Sequence, residues 1–118
     1  MTDANTGGRE PAPLGLKPLA NPLFRLGQLL ATPAALAALD RLGVQPLDLV
    51  MSRHVVGDWG DLCGEDRELN MHSITHGMRI FSSYKLTAVA SDSETTETVW
   101  VITEADRAST TILLPSEY

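Results

Sequence analysis

The chain has a single cysteine, Cys63, in 118 residues. That excludes an intrachain disulfide framework and a multi-cysteine zinc site, and it fits a reducing compartment in which Cys63 is an ordinary small thiol. Aromatic residues make up 5% of the chain, two each of Trp, Tyr and Phe. A core must therefore be built from Leu, Val, Ile, Ala and Met, and stacking platforms for single-stranded nucleic acid are poorly supplied. Basic residues are few: Lys and Arg number 9 against 15 Asp and Glu, for a formal charge of -6. Generic nucleic-acid binding needs a positive field to release counterions, so it is not expected. No apolar run approaches the roughly 20 residues that span a bilayer. The polar start MTDANTGGREPAPLG lacks the charged-then-apolar pattern of a signal peptide. A cytoplasmic protein without membrane association is the expectation. Neither G-x-x-x-x-G-K-[ST] nor G-x-G-x-x-G occurs, so no nucleotide cofactor is implied by those routes, and no solenoid-length repeat is present.

What is there is one domain's worth of ordinary globular sequence, 43% hydrophobic and 20% charged. Gly7, Gly8, Pro11, Pro13, Gly15 and Pro18 break up the start of the chain. They predict a disordered tail over residues 1–20 and a single domain over 21–118. The run Leu23 to Leu30 reads as a short strand or a helical turn. Thr32-Pro33 is a helix start, with Thr32 as cap and Pro33 at the first helical position. The helix runs to Leu42 with Leu36, Leu39 and Leu42 on one face and ends at Gly43. A second helix begins at Pro46, carries Leu47, Val50, Met51 and His54 at helical spacing, and stops at Gly57. A third spans about Glu65 to His76 and is closed by Gly77.

The period then changes to two. Strands are predicted from Met78 to Val89, from Thr98 to Thr103 and from Ser109 to Leu114, with an acidic hairpin loop over Ala90 to Thr96 and a turn over Glu104 to Ala108. Helices followed by strands indicate an α+β fold: a short N-terminal extended segment, about three helices, and a three-stranded antiparallel meander.

Three blocks carry a resemblance. They are Leu26-Gly27-Gln28 leading into Ala31-Thr32-Pro33-x-Ala35-Leu36; Arg53-His54-x-x-Gly57-Asp58-Trp59-Gly60-x-Leu62; and Trp100 to Arg107 with Thr110 to Pro115, Glu117 and Tyr118. The chain resembles a family of short bacterial proteins labelled plasmid-related and borne on plasmids and integrative elements. The resemblance covers nearly all of the chain after the tail. It implies a bacterial, cytoplasmic, mobile-element setting and carries no established activity. The acidic stretch Ser91 to Glu97 is longer than that family's pattern, and His72 and His76 stand where apolar and acidic residues are expected.

Three polar constellations are candidates for chemistry. Glu68, His72 and His76 fall at i, i+4 and i+8, so one helix face presents three potential metal ligands. The glutamate of a metalloprotease helix is missing from between the histidines, and a solvated face is the plainer reading, so no metal is expected. In Arg53-His54-x-x-Gly57-Asp58-Trp59-Gly60, His54 can move protons near neutral pH, Arg53 can clamp a phosphate or carboxylate, and Asp58 can fix the imidazole tautomer. The structural alternative has His54 stabilised at a helix C-terminus, Asp58 capping a turn and Trp59 covering the core. In Thr103-Glu104-x-Asp106-Arg107-x-x-Thr110-Thr111, Glu104 and Asp106 offer acid and base, Arg107 an anion clamp, and Thr110 or Thr111 a hydroxyl. An ordinary hairpin turn accounts for the same residues.

Two functions compete. One is a mobile-element accessory protein that binds another protein, with the acidic balance suiting a basic surface on the partner. The other is a small ribonuclease-like hydrolase with His54 as general acid/base and Arg53 and Arg107 as phosphate clamps. A ligand-sensing module built on the same cluster is a third. All depend on the segment His54 to Trp59 folding beside the hairpin Glu104 to Arg107. The oligomeric state is left open, although an edge strand of the meander offers a place for a second copy.

Overall fold

The computed structural model describes residues 21–90 and 92–118, so the tail expected over 1–20 lies outside the described residues. The elements in chain order are β1 (Gln28–Ala31), α1 (Pro33–Leu42), α2 (Pro46–Ser52), a 3₁₀ turn (His54–Val56), α3 (Gly64–His76), β2 (Ile80–Ala90), β3 (Ser93–Thr103), β4 (Ser109–Leu113) and a last 3₁₀ turn (Pro115–Glu117). The fold is α+β. Among the described residues no helix is long and apolar enough to cross a membrane.

The expected three-stranded meander is present as β2, β3 and β4, but the sheet has a fourth strand. Its order is β1-β4-β3-β2, with β1 parallel to β4 and the other pairs antiparallel. Parallel neighbours need a long crossover, and the helices and strands between β1 and β4 supply it. Gly27, at φ 66, starts this pairing: a Cβ there would overlap the backbone of Ala108, whose carbonyl accepts the Gln28 N–H at 3.0 Å. The expected loop over Ala90 to Thr96 is also corrected. The β2–β3 ladder continues to Ala90↔Ser93, so Glu94 to Thr96 are strand. Threonines favour a pleated backbone, and Thr87 and Thr96 join their hydroxyls across the ladder at 2.9 Å.

α1 starts as its sequence dictates. The Thr32 hydroxyl accepts the Ala35 N–H at 3.1 Å, Pro33 takes the first turn, and Gly43 ends the helix in the left-handed region. The Thr32 hydroxyl proton goes to Glu117 Oε1, 2.7 Å away. The buried stripe is Ala35, Ala38, Leu39 and Leu42, while Leu36, expected on one face with Leu39 and Leu42, faces out. Alanines at i and i+3 let the helix sit close to the sheet, and the stripe they define turns Leu36 away. The core joins Ala35 and Leu39 of α1, Leu49 and Val50 of α2, and Tyr84, Val99, Val101 and Ile112 of the sheet.

α2 ends before the expected stop. Its ladder breaks at Arg53 (φ -128, ψ -66), and His54 begins a separate 3₁₀ turn closed by Gly57. That break takes His54 off the helical stripe on which it is expected and turns it into the interior. α3 buries only Asn70 and Ser73 and lies against the outer edge of β2. Asn70 behaves as a short piece of strand: its Nδ2 donates to the Phe81 carbonyl at 2.6 Å and its Oδ1 accepts the Phe81 N–H at 3.1 Å.

Candidate functional site

Strand alternation sends Ser82, Thr103 and Thr110 to the face that packs under the helices, where the neighbouring inward positions are apolar. These three hydroxyls and His54 form one continuous buried row. His54 Nδ1 lies 2.6 Å from Ser82 Oγ, His54 Nε2 lies 2.9 Å from Thr103 Oγ1, and Thr103 Oγ1 lies 2.7 Å from Thr110 Oγ1. Thr110 Oγ1 donates to the Leu26 carbonyl at 2.7 Å. All four side chains of the row are buried, His54, Ser82 and Thr103 completely.

The direction of every bond follows from its last acceptor. A carbonyl cannot donate, so Thr110 spends its only proton on Leu26. Thr103 must then donate to Thr110, and His54 Nε2 must carry a hydrogen for Thr103. Burial pushes the pKa of the ring from the ordinary 6.5 down to about 3, so the imidazole is neutral. With its hydrogen on Nε2, Nδ1 is bare and accepts from Ser82. Phe24 packs edge-on to the ring at 5.2 Å, and Trp59 packs edge-on at 6.0 Å.

Two expectations for His54 are corrected. It is not a cation held by a helix terminus, because burial without a counter-charge disfavours the charged form. Asp58 does not set its tautomer; Thr103 does. Asp58 instead accepts from Arg53 Nε at 2.7 Å, from Arg53 Nη2 at 3.3 Å and from the Gly60 N–H at 3.1 Å. The Arg53 hydrogen bond, with help from the Gly60 amide, holds the Asp58 carboxyl below its ordinary range, and the same bond raises Arg53. The Arg53 guanidinium also lies over the Tyr84 ring at 4.4 Å, and the Tyr84 hydroxyl donates to the Asp58 carbonyl at 2.6 Å.

Arg107 is equally committed. It is the one non-glycine described residue with positive φ, 59°. From there Nη1 donates to the carbonyls of Met78, Glu104 and Ala105, at 2.7, 3.0 and 3.1 Å, and Nη2 donates to that of Ser73 at 2.9 Å. The guanidinium thus fastens the β3–β4 turn to the end of α3, sharing the Ser73 carbonyl with the N–H groups of Gly77 and Met78. Asp106 shapes the turn by accepting the Ala108 N–H at 2.9 Å, and Glu104 pairs with Arg79 at 3.3 Å. Thr111 cannot work beside Thr110, since consecutive strand residues face opposite sides of the sheet.

The His54 stretch and the Thr103 end of the hairpin constellation meet. His54 reaches Thr103 directly, and Phe24 sits between them, stacked on Trp59 at 6.2 Å with the Arg107 guanidinium 6.0 Å from its ring centroid. They meet inside the protein, however, and not around an opening. Sequence reasoning missed Phe24, Ser82 and the Leu26 carbonyl. The findable signal was Ser82, a polar residue between inward-facing Ile80 and Tyr84 on an otherwise apolar strand face.

Ser82 and His54 have the spacing of a nucleophile and its base. A substrate would have to displace Phe24 and Trp59 to reach either. His72 and His76 stack at 3.9 Å between ring centroids, and His76 Nδ1 bonds to the His72 carbonyl at 3.0 Å. Among the described residues no group of three or more His, Cys, Asp or Glu side chains is placed to hold a metal, so Glu68 does not complete a site with them. Cys63 is exposed, with its thiol 3.4 Å from Asp66 Oδ2. Compared with protein-family models, with curated proteins and with solved structures, the chain matches none.

Proposed function

We propose that the protein works by binding another protein, as a cytoplasmic accessory protein of a bacterial plasmid or integrative element, and not by hydrolysis. The observation that supports this most is the state of the groups a hydrolase would use. His54 is buried with both nitrogens bonded to hydroxyls, and Arg107 spends its guanidinium on backbone carbonyls. Arg53 is held by Asp58. A phosphate would have to break these contacts before it gained its own. The charge of -6 favours a partner with a basic surface. Exposed Asp61, Glu65, Asp66 and Glu68 gather such charge around the start of α3. The mobile-element setting is what the three resembling blocks imply.

The test uses the full tagged chain. Capture of a partner is expected to survive Arg53→Ala, to weaken at least tenfold in the double variant Asp66→Lys, Glu68→Lys, and to weaken as salt rises. Incubation with RNA is expected to leave it intact. RNA cleavage by the wild type that disappears in Arg53→Ala overturns the binding reading in favour of the ribonuclease-like one.

A further inference from the structure

β1 is an outer strand of the sheet. The Gln28 and Thr32 N–H groups donate to the carbonyls of Ala108 and Ile112, on the β4 side. Alternation then turns the N–H and C=O of Leu29 and Ala31 outward, where nothing pairs with them among the described residues. The side chains around this edge are apolar and open. Leu29, Leu30, Leu36 and Leu47 are 40%, 43%, 44% and 51% exposed. They border a groove of about 260 Å³ that also takes in Pro46 and Val50 and has no charged side chain in its lining. An uncharged apolar edge strand is a ready template for another strand.

We propose that this edge joins two copies of the chain, with β1 of one antiparallel to β1 of the other about a two-fold axis through Leu30. The backbone spacing is self-complementary. Leu29 of one copy faces Ala31 of the other, each exchanging N–H and C=O, and the axis repeats the pair. Leu30 meets its own copy in the non-hydrogen-bonded position between them. Charge argues for a second copy over a basic partner. Two molecules of charge -6 meet here without bringing like charges into contact, whereas a basic surface finds nothing in the groove to complement. The assembly also closes. The first half of the β2 edge is capped, at Phe81, Ser83 and the Lys85 N–H, by Asn70, Trp59 and Asp61, and the two-fold axis uses up the β1 edge of both copies. This association goes beyond the binding role proposed above and does not rest on it.

Sedimentation of the full chain across a concentration series is expected to show the mass rising from one copy to two. Leu30→Lys is expected to hold it at one copy with an unchanged circular dichroism spectrum. In a Cys63→Ser background, Leu30→Cys is expected to cross-link to itself on oxidation at least tenfold faster than Val89→Cys, an exposed position on β2. The two Leu30 Cα atoms would lie about 4.5 Å apart, within disulfide reach. A one-copy mass at every concentration overturns the proposal. So does a two-copy mass that persists in Leu30→Lys, or equal cross-linking at Val89→Cys. A different protein captured at this edge, and lost in Leu30→Lys while the chain alone stays a single copy, also overturns it.

Discussion

Along the outer edge of β2, Phe81 and Ser83 bond both outward backbone groups inside the chain and Lys85 bonds its N–H; along the outer edge of β1, Leu29 and Ala31 find no such partners among the described residues. The β2 cap is assembled from unlike parts. The Asn70 amide serves Phe81, the Trp59 carbonyl and Asp61 N–H serve Ser83 at 3.1 and 2.7 Å, and the Asp61 carboxylate accepts the Lys85 N–H at 2.7 Å. Gly60, at φ 76, permits this approach, because a Cβ there would overlap the Ser83 carbonyl. Backbone left unpaired at a sheet edge invites another chain. One edge is closed over its first half by local sequence, and the other offers the place proposed above for a second copy. The hydroxyl row runs from the closed side, at Ser82, across β3 and β4 to Leu26 at the entrance to β1.

Acid has the largest expected effect, because it attacks the row that joins the two sides. His54 titrates near 3 in the folded chain and near 6.5 when unfolded. Between these values the unfolded chain binds more protons than the folded one, so stability falls as pH falls. About 2 kcal/mol is expected to go between about pH 7 and pH 5, read from urea unfolding, before most carboxylates titrate. His54→Gln is expected to remove this loss while lowering stability at neutral pH. A smaller effect sharpens the contrast at the closed edge. Asn70→Ala leaves the Phe81 N–H and C=O without their partner and is expected to cost about 1 kcal/mol by the same measurement. The smallest belongs to the open edge. Leu30→Lys is expected to change the unfolding free energy of the single copy by less than about 0.5 kcal/mol, since its side chain projects into solvent there.

What the sequence made legible was local. The Thr32-Pro33 start, the Gly43 and Gly77 stops and the alternation of β3 and β4 each depend on a few neighbouring residues, and each stands where it was expected. The parallel pairing of β1 was not legible, because its partner lies some eighty residues away and four residues carry no signal of it. The inward turn of His54 depends on a break at Arg53 that no glycine or proline marks. Asp58 looked like a histidine partner because it is near in sequence, yet its carboxylate reaches Arg53. For Arg107, residue type pointed to anion binding, while the carbonyls of Ser73 and Met78 that occupy it come from the distant end of α3 and the turn beyond. The sequence reading required one accessible face, whereas His54 and Thr103 meet in the interior beside Phe24 and Trp59, and packing of that kind has no local signature.

The Leu26 carbonyl has a reach greater than its one hydrogen bond. Since it alone fixes which way the protons point along the row, it also dictates which imidazole nitrogen is bare. Lifting residues 23–27 off β4 would free Thr110, let the hydroxyls reverse one after another, and permit the ring to swap its hydrogen from one nitrogen to the other. The nitrogen resonances of a single buried ring thus report whether the strand entry is seated, at a distance and through nothing but the orientation of three hydroxyl groups.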